Sequence, residues 1–280
     1  MRNLPLEIQS LKRVILLIVG MLQLALNVAA KDNLRIPDLR TLGMGGGGVT
    51  ETPLFNPALL AIQNKNKLFA NYYNRYSVSE LATVNGGFYF RNDILPAGLD
   101  ITSFGYDEYR ESMFRLSFGK LLTDRFSLGV AIQYALLQSE LFQESTGRIS
   151  ADIGLVYQPI DELMIGLSML HVPSVHIGDE NIENKHIAPY SMQLGFNYSV
   201  LSNMSIVGSA GHNKEDKFMG AFGVEYTAFE DFNIRAGLCT APFAPSLGVG
   251  YKIYSIQADV GMVYHSILGT SMGIGISYSF

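Results

Sequence analysis

The closing stretch Thr270-Ser-Met-Gly-Ile-Gly-Ile-Ser-Tyr-Ser-Phe280 alternates with a period of two up to its last residue. Met272, Ile274, Ile276, Tyr278 and Phe280 share one face of an extended strand; Ser271, Gly273, Gly275, Ser277 and Ser279 share the other. One face is apolar, the other small and polar. The same division recurs upstream. Ile149, Ala151, Ile153, Leu155 and Tyr157 oppose Ser150, Asp152, Gly154 and Val156, and Phe232, Ile234, Ala236 and Leu238 oppose Asn233, Arg235, Gly237 and Cys239. Alternating runs cover 67–75, 81–90, 96–105, 112–121, 125–138, 146–157, 163–171, 189–200, 203–211, 217–227, 232–240, 245–253, 255–265 and 270–280. They predict an all-β chain of about fourteen antiparallel strands in successive hairpins.

Periodicity does not say whether the apolar face points inward or outward. The strand ends do. Tyr157, Tyr198, Tyr226, Tyr251 and Tyr278 lie on the apolar face, each close to a short turn or the C-terminus. A ring of tyrosines at one level suits a membrane girdle, because the side chain has an apolar body and a wet hydroxyl. Ten residues at about 3.3 Å each, tilted by about 45°, rise roughly 23 Å, close to the apolar band of a membrane barrel. The connections also alternate: those near 122–124, 159–161, 201–202, 228–231 and 254 are tight, as periplasmic turns are, whereas 139–145 and 172–188 are long and more charged. An even strand count puts both ends of the barrel on the periplasmic side. The expectation is a transmembrane β-barrel in contact with outer-membrane lipid. Its terminal aromatic, Phe280, resembles the C-terminal signature of bacterial outer-membrane barrels, which implies recognition of the last strand by the barrel assembly machinery.

Composition agrees. Hydrophobic residues make up 48 % of the chain and charged residues 16 %, against about 25 % charged in soluble domains. Arg2, Lys12 and Arg13 precede an apolar run from Val14 to Val28 that ends in Val28-Ala-Ala30. This is the pattern of a secretory signal peptide cleaved near Ala30. Removing residues 1–30 takes away three positive charges and one negative charge, so the formal charge of −5 becomes −7. A basic nucleic-acid surface is excluded. Cys239 is the sole cysteine, which excludes an internal disulfide and a cysteine-cluster metal site.

Between the signal peptide and the barrel lies the segment 31–66, with Leu39-Arg-Thr-Leu-Gly-Met-Gly-Gly-Gly-Gly-Val-Thr50 and Phe55-Asn-Pro-Ala-Leu-Leu-Ala61. Gly43, Gly45, Gly46, Gly47 and Gly48 allow backbone to pack closely on backbone and to reach positive φ, which suits a coil folded into a barrel lumen. A periplasmic tail is the alternative. Asn56 is placed to cap a short helical turn with Pro57 at its first position. Lumen-facing charges, by strand parity, are Asp100, Arg115, Asp152, Glu225, Arg235, Lys252 and Asp259. The remainder of the lumen face is small and polar.

The two motifs of 31–66 resemble the N-terminal segment of the FadL-like superfamily, particularly its PorV/PorQ branch. There a Leu-Gly-Met-Gly-Gly stretch precedes Asn-Pro-Ala at the entry to a fourteen-stranded barrel. The stretch between the motifs is shortened here to Glu51-Thr-Pro-Leu54, and the chain is shorter than typical members. The resemblance implies a passage or binding barrel for hydrophobic small molecules, with 31–66 as plug or hatch. Its PorV/PorQ spelling implies an alternative, a type IX secretion accessory that docks exported proteins at the surface.

Enzyme chemistry finds no support. Gly43–Gly48 satisfies G-x-G-x-x-G formally, but it follows no strand and opens no long helix, so it is not a dinucleotide site. His171, His176, His186, His212 and His265 map to the extracellular ends without ligand spacing and are expected to be solvated loop residues, as are Asp179, Glu180 and Glu183. No serine, histidine and acid stand in a nucleophile order. No cofactor and no metal are expected.

Overall fold

The computed structural model describes residues 33–35, 38–140, 146–178, 189–213 and 218–280. The signal peptide with its cleavage position, His186 and the acidic residues Asp179, Glu180 and Glu183 lie outside this set.

The strands are β1 (Lys67–Asn74), β2 (Ala82–Phe90), β3 (Ala97–Tyr106), β4 (Tyr109–Thr123), β5 (Phe126–Ser139), β6 (Thr146–Ile160), β7 (Leu163–Leu170), β8 (Ser174–Ile177), β9 (Ser191–Leu201), β10 (Met204–Asn213), β11 (Phe218–Phe229), β12 (Phe232–Thr240), β13 (Phe243–Ile253), β14 (Ile256–His265) and β15 (Gly269–Ser279). All are antiparallel neighbours in one sheet, and β1 pairs with both β2 and β15, so the sheet closes on itself. Beyond the last strand, Asn66 and Phe280 exchange two backbone hydrogen bonds of 3.0 Å that extend the seam. Closure leaves no sheet edge, the condition for crossing a bilayer with strands.

Fourteen strands form the wall, matching the sequence reading. β8 corrects it, because residues 172–188 were expected to be loop throughout. β6 runs above the point where β7 leaves it, and Gly147–Ser150 pair with Ser174–Ile177 instead. Val172 N to Ala151 O at 2.7 Å and Ala151 N to Pro173 O at 3.0 Å carry the pairing across the break. The short strand thus satisfies polar backbone that β7 leaves open.

Burial sorts the two faces. Leu68, Val84, Ile132, Leu194, Leu247, Ile274 and Ile276 are exposed on the outside, whereas Asn71, Asn85, Asp100, Arg115, Gln133, Asp152, Ser168 and Arg235 are buried inside. An apolar exterior around a polar interior inverts a soluble barrel, so the exterior faces lipid. Among the described residues no helix is long and apolar enough to cross a membrane; strands do the crossing. Tyr157, Tyr198, Tyr226, Tyr251 and Tyr278 are all exposed on the outer face near the end that carries the connections 124–125, 161–162, 202–203, 230–231 and 254–255. Phe280 stacks on Tyr278 at 5.3 Å and on Phe88 at 6.3 Å at that same end.

A substitution pair tests the facing. Ile274 sits at the middle of β15 with its side chain 57 % exposed, so Ile274→Arg should cost about 2–4 kcal/mol, the range for a cation at the bilayer midplane. Ser277→Arg, on the inner face, should cost clearly less. Urea unfolding in lipid bilayers would measure both, and equal losses would contradict the assigned facing.

Candidate functional site: a plugged lumen

The described residues up to Gln63 lie inside the barrel, and Asn64 and Lys65 lead out to the seam. Asp38 caps a single helical turn, α1 (Leu39–Leu42), its side chain accepting from Thr41 N at 2.8 Å. The chain then reverses through Gly45 and Gly46, at φ +85° and +79°, where a side chain would be strained. Further on, Asn56 accepts from Ala58 N at 3.1 Å and starts the 3-10 helix Pro57–Ile62, with Pro57 at its first position.

The wall receives this segment on glycine. Cross-strand pairs Gly119/Gly129, Gly129/Gly154, Gly166/Gly195, Gly223/Gly237, Gly248/Gly261 and Gly261/Gly273 face inward. A Cβ added at Gly119 would come within 2.7 Å of Ala61 N, and one at Gly248 within 3.0 Å of Gly43 Cα. The small lumen face of the sequence is thus a glycine belt on which plug backbone lies directly. Gly43 meets Gly248, Gly45 meets the Leu238 carbonyl, and Gly47 meets Ser209 and Ala221; Gly48 faces the Phe55 ring of the plug itself.

Two ionic clusters hold plug to wall. In the first, Arg115 reaches Asp152 at 3.1 Å, Asp100 at 3.2 Å and the Pro53 carbonyl at 3.1 Å. Asp152 also accepts from Gln133 Nε2 at 2.9 Å and His171 N at 2.8 Å. In the second, Arg40 donates two hydrogen bonds to Glu225, at 2.9 and 2.7 Å, and pairs with Glu51 at 3.0 Å. Arg235 joins Glu225 and Asp259, both at 2.6 Å, and Asn197 Nδ2 donates to Glu51 at 2.6 Å. Burial alone would lower the Arg40 pKa, but Glu51 and Glu225 raise it above its usual value, so the guanidinium stays charged.

Six of the seven lumen charges expected from parity therefore fall into these clusters. Lys252 does not: it keeps inward parity but stands exposed, two residues from the turn at Tyr254. Four histidines also differ from the solvated loop residues expected: His176 stands in β8 and His212 in β10, and the other two are tied down. His171 is buried with Nδ1 near Ser150 Oγ at 3.2 Å, and His265 Nδ1 accepts from Ile267 N and Leu268 N at 3.2 and 3.1 Å, closing a turn. Sequence reasoning missed Arg40 and Glu51. They are the only charges between Leu39 and Gln63, and charges in a glycine-rich coil that enters a lumen need partners there. That signal was available.

Above the plug, towards the end that carries β8, lies a cavity of about 170 Å³. Leu42, Gly45, Gly46, Gly47 and Phe55 belong to the plug side of its lining; Tyr73, Met219, Ala244 and Val263 contribute wall, with Arg35, Arg75, Gln193 and His265 among its polar groups. A lumen expected to be mostly small and polar is, in this half, lined also by Leu42, Phe55, Tyr73, Met219 and Val263. A second space of about 20 Å³ beside Arg115, Asp152 and His171 is about the size that one water needs.

No known protein family and no curated protein matches the chain. Solved structures do. A Pseudomonas aeruginosa FadL homologue is 14 % identical, with a TM-score of 0.59 over 88 % of this chain and 99 % of its own. The Pseudomonas putida toluene transporter TodX is 10 % identical, with a TM-score of 0.59 over 91 % of this chain and 99 % of its own. The Acinetobacter baumannii outer membrane protein Omp33 is 9 % identical, with a TM-score of 0.50 over 77 % and 98 %. At such identities the likeness speaks for architecture: the chain has the fold of the FadL-type outer-membrane barrels.

Proposed function

We propose that the protein is an outer-membrane passage for small apolar molecules, kept shut at rest by the segment 38–63. The cavity carries this reading. Its volume of about 170 Å³ is comparable to the roughly 150 Å³ apolar cavity that accepts benzene, and the plug supplies its floor. A barrel that served only as a scaffold would have no need for an apolar chamber resting on a segment that can move. The similarly folded toluene transporter supports the reading, as does the export signal expected over residues 1–30. In this orientation the connections 124–125, 161–162, 202–203, 230–231 and 254–255 are periplasmic together with Phe280, and the cavity lies on the extracellular side. The five exposed tyrosines then form the periplasmic girdle.

The secretion-accessory alternative rests on the spelling Leu42-Gly-Met-Gly-Gly46. It would need a docking face at the extracellular end, where the connections 107–108 and 241–242 are two residues long. The test is uptake. Cells that carry the protein in an otherwise porin-poor outer membrane should accumulate labelled toluene several-fold faster than cells without it. Equal rates would contradict the proposal.

A further inference from the structure

We propose that the plug opens as a half-gate: residues 38–47 swing away from β11–β15, residues 53–63 stay fixed on β4–β6, and Arg40 is the latch. This rests on the passage reading and says which part of the floor moves.

The two halves are held by different forces. Asn56 is fully buried, and its Nδ2 donates to Val49 O at 2.9 Å and Leu155 O at 3.0 Å. The Phe55 carbonyl accepts from Ser168 Oγ, and the Pro53 carbonyl accepts from the buried Arg115. Lifting this half would leave buried donors and acceptors without partners on both sides, the costly case. Behind it, Gly119, Gly129 and Gly154 leave no gap for the 3-10 helix to slide into.

Residues 38–47 hold on by fewer buried polar ties and more by apolar packing, with Leu39 and Leu42 buried against Tyr73 and Val263, contacts that part without leaving a donor or acceptor unpaired. Their polar ties to the wall are Arg40 to Glu225 and the contacts of Ser246 Oγ with Gly45 N at 2.9 Å and Gly43 O at 3.2 Å. The Arg40 side chain is one-third exposed, so it can hydrate once released. Glu225 keeps Arg235 at 2.6 Å when Arg40 leaves, so no wall carboxylate is stranded. Glu51, the other partner of Arg40, has a buried side chain and would keep the Asn197 amide at 2.6 Å, so the resting cost of opening falls on this carboxylate. The glycines at 45–48 join the halves, two of them at positive φ, and such positions absorb large backbone rotations. Leu42 and Gly45–Gly47 are also the cavity floor, so this motion opens the chamber downward.

Two engineered disulfides in the full chain, with Cys239→Ser, separate the halves. A Cβ at Gly275 would lie 3.5 Å from Leu39 Cβ, within the roughly 3.5–4.5 Å of a disulfide, whereas one at Gly119 would lie 2.9 Å from Leu60 Cβ and 2.7 Å from Ala61 N, so the second pair must first move apart by about 0.6 Å and each pair is compared with its own reduced form. Planar-bilayer recordings in KCl read the openings, on protein shown to be folded by its resistance to SDS. Oxidising the Leu39→Cys/Gly275→Cys pair should cut opening frequency at least tenfold, reversibly on reduction; oxidising the Leu60→Cys/Gly119→Cys pair should not change it. Arg40→Gln, which needs no disulfide, should raise the frequency at least tenfold, and higher KCl should raise it in the unsubstituted chain by screening the latch. Equal or reversed effects of the two disulfides, or an Arg40→Gln frequency unchanged from the parent, would overturn the half-gate and leave the passage intact. Absence of conductance even in a folded chain lacking residues 31–63 would overturn the passage and the half-gate together.

Discussion

Arg115→Leu should destabilise the folded barrel by about 3–5 kcal/mol, the cost of leaving buried charge without its partner. Arg115 is 2 % exposed and stands between Asp100 and Asp152, themselves 0 % and 2 % exposed. Its loss would leave two buried carboxylates facing each other and would free the Pro53 carbonyl of the plug. Adding Asp100→Asn and Asp152→Asn to Arg115→Leu should recover most of the loss, since the penalty comes from orphaned charge rather than missing attraction. Urea unfolding of the single and triple variants in lipid bilayers gives both numbers. A single variant as stable as the parent would show that the cluster is solvated.

Gly237→Val should unseat the plug while leaving the wall intact. A Cβ there would lie 2.7 Å from Met44 Cα and closer still to the Met44 carbonyl carbon and Gly45 N. All three are backbone atoms, which cannot rotate aside as a side-chain tip does. The strand itself loses nothing, because valine suits an extended backbone better than glycine does. Overpacking a well-filled core costs typically about 1–3 kcal/mol, and here residues 38–47 of the plug can relieve it by leaving. Conductance should therefore rise at least tenfold with the folded yield maintained. Unchanged conductance in folded Gly237→Val would mean that the glycine belt is not a seat.

Much of this architecture can be read from the chain, and the reasons are local. Each wall strand declares itself through alternation, as in Tyr278, Ile276 and Ile274 against Ser277, Gly275 and Gly273, and each observed strand starts or ends within a few residues of its sequence limits. Parity then places Asp100, Arg115, Asp152, Glu225, Arg235 and Asp259 indoors without any knowledge of their partners. β8 escapes because Ser174-Val-His-Ile177 is too short to show a period, and its pairing exists only to satisfy the overhang of β6. The latch escapes for another reason. Arg40 and Glu225 are 185 positions apart, and no local pattern links them. His171 looks like a loop residue because the strand breaks next to it, yet the break is what turns it into the wall beside Asp152.

The most direct measurement is planar-bilayer conductance of the intact chain beside a chain lacking residues 31–63, which keeps Asn66 and its bonds to Phe280. Every strand pairing, including β1 to β15, closes without the deleted residues, so the shortened chain should fold and insert. It should then conduct continuously, at a mean level at least tenfold above that of the intact protein. A folded, inserted deletion with the conductance of the intact chain would contradict the assignment of this segment as the closure of the passage.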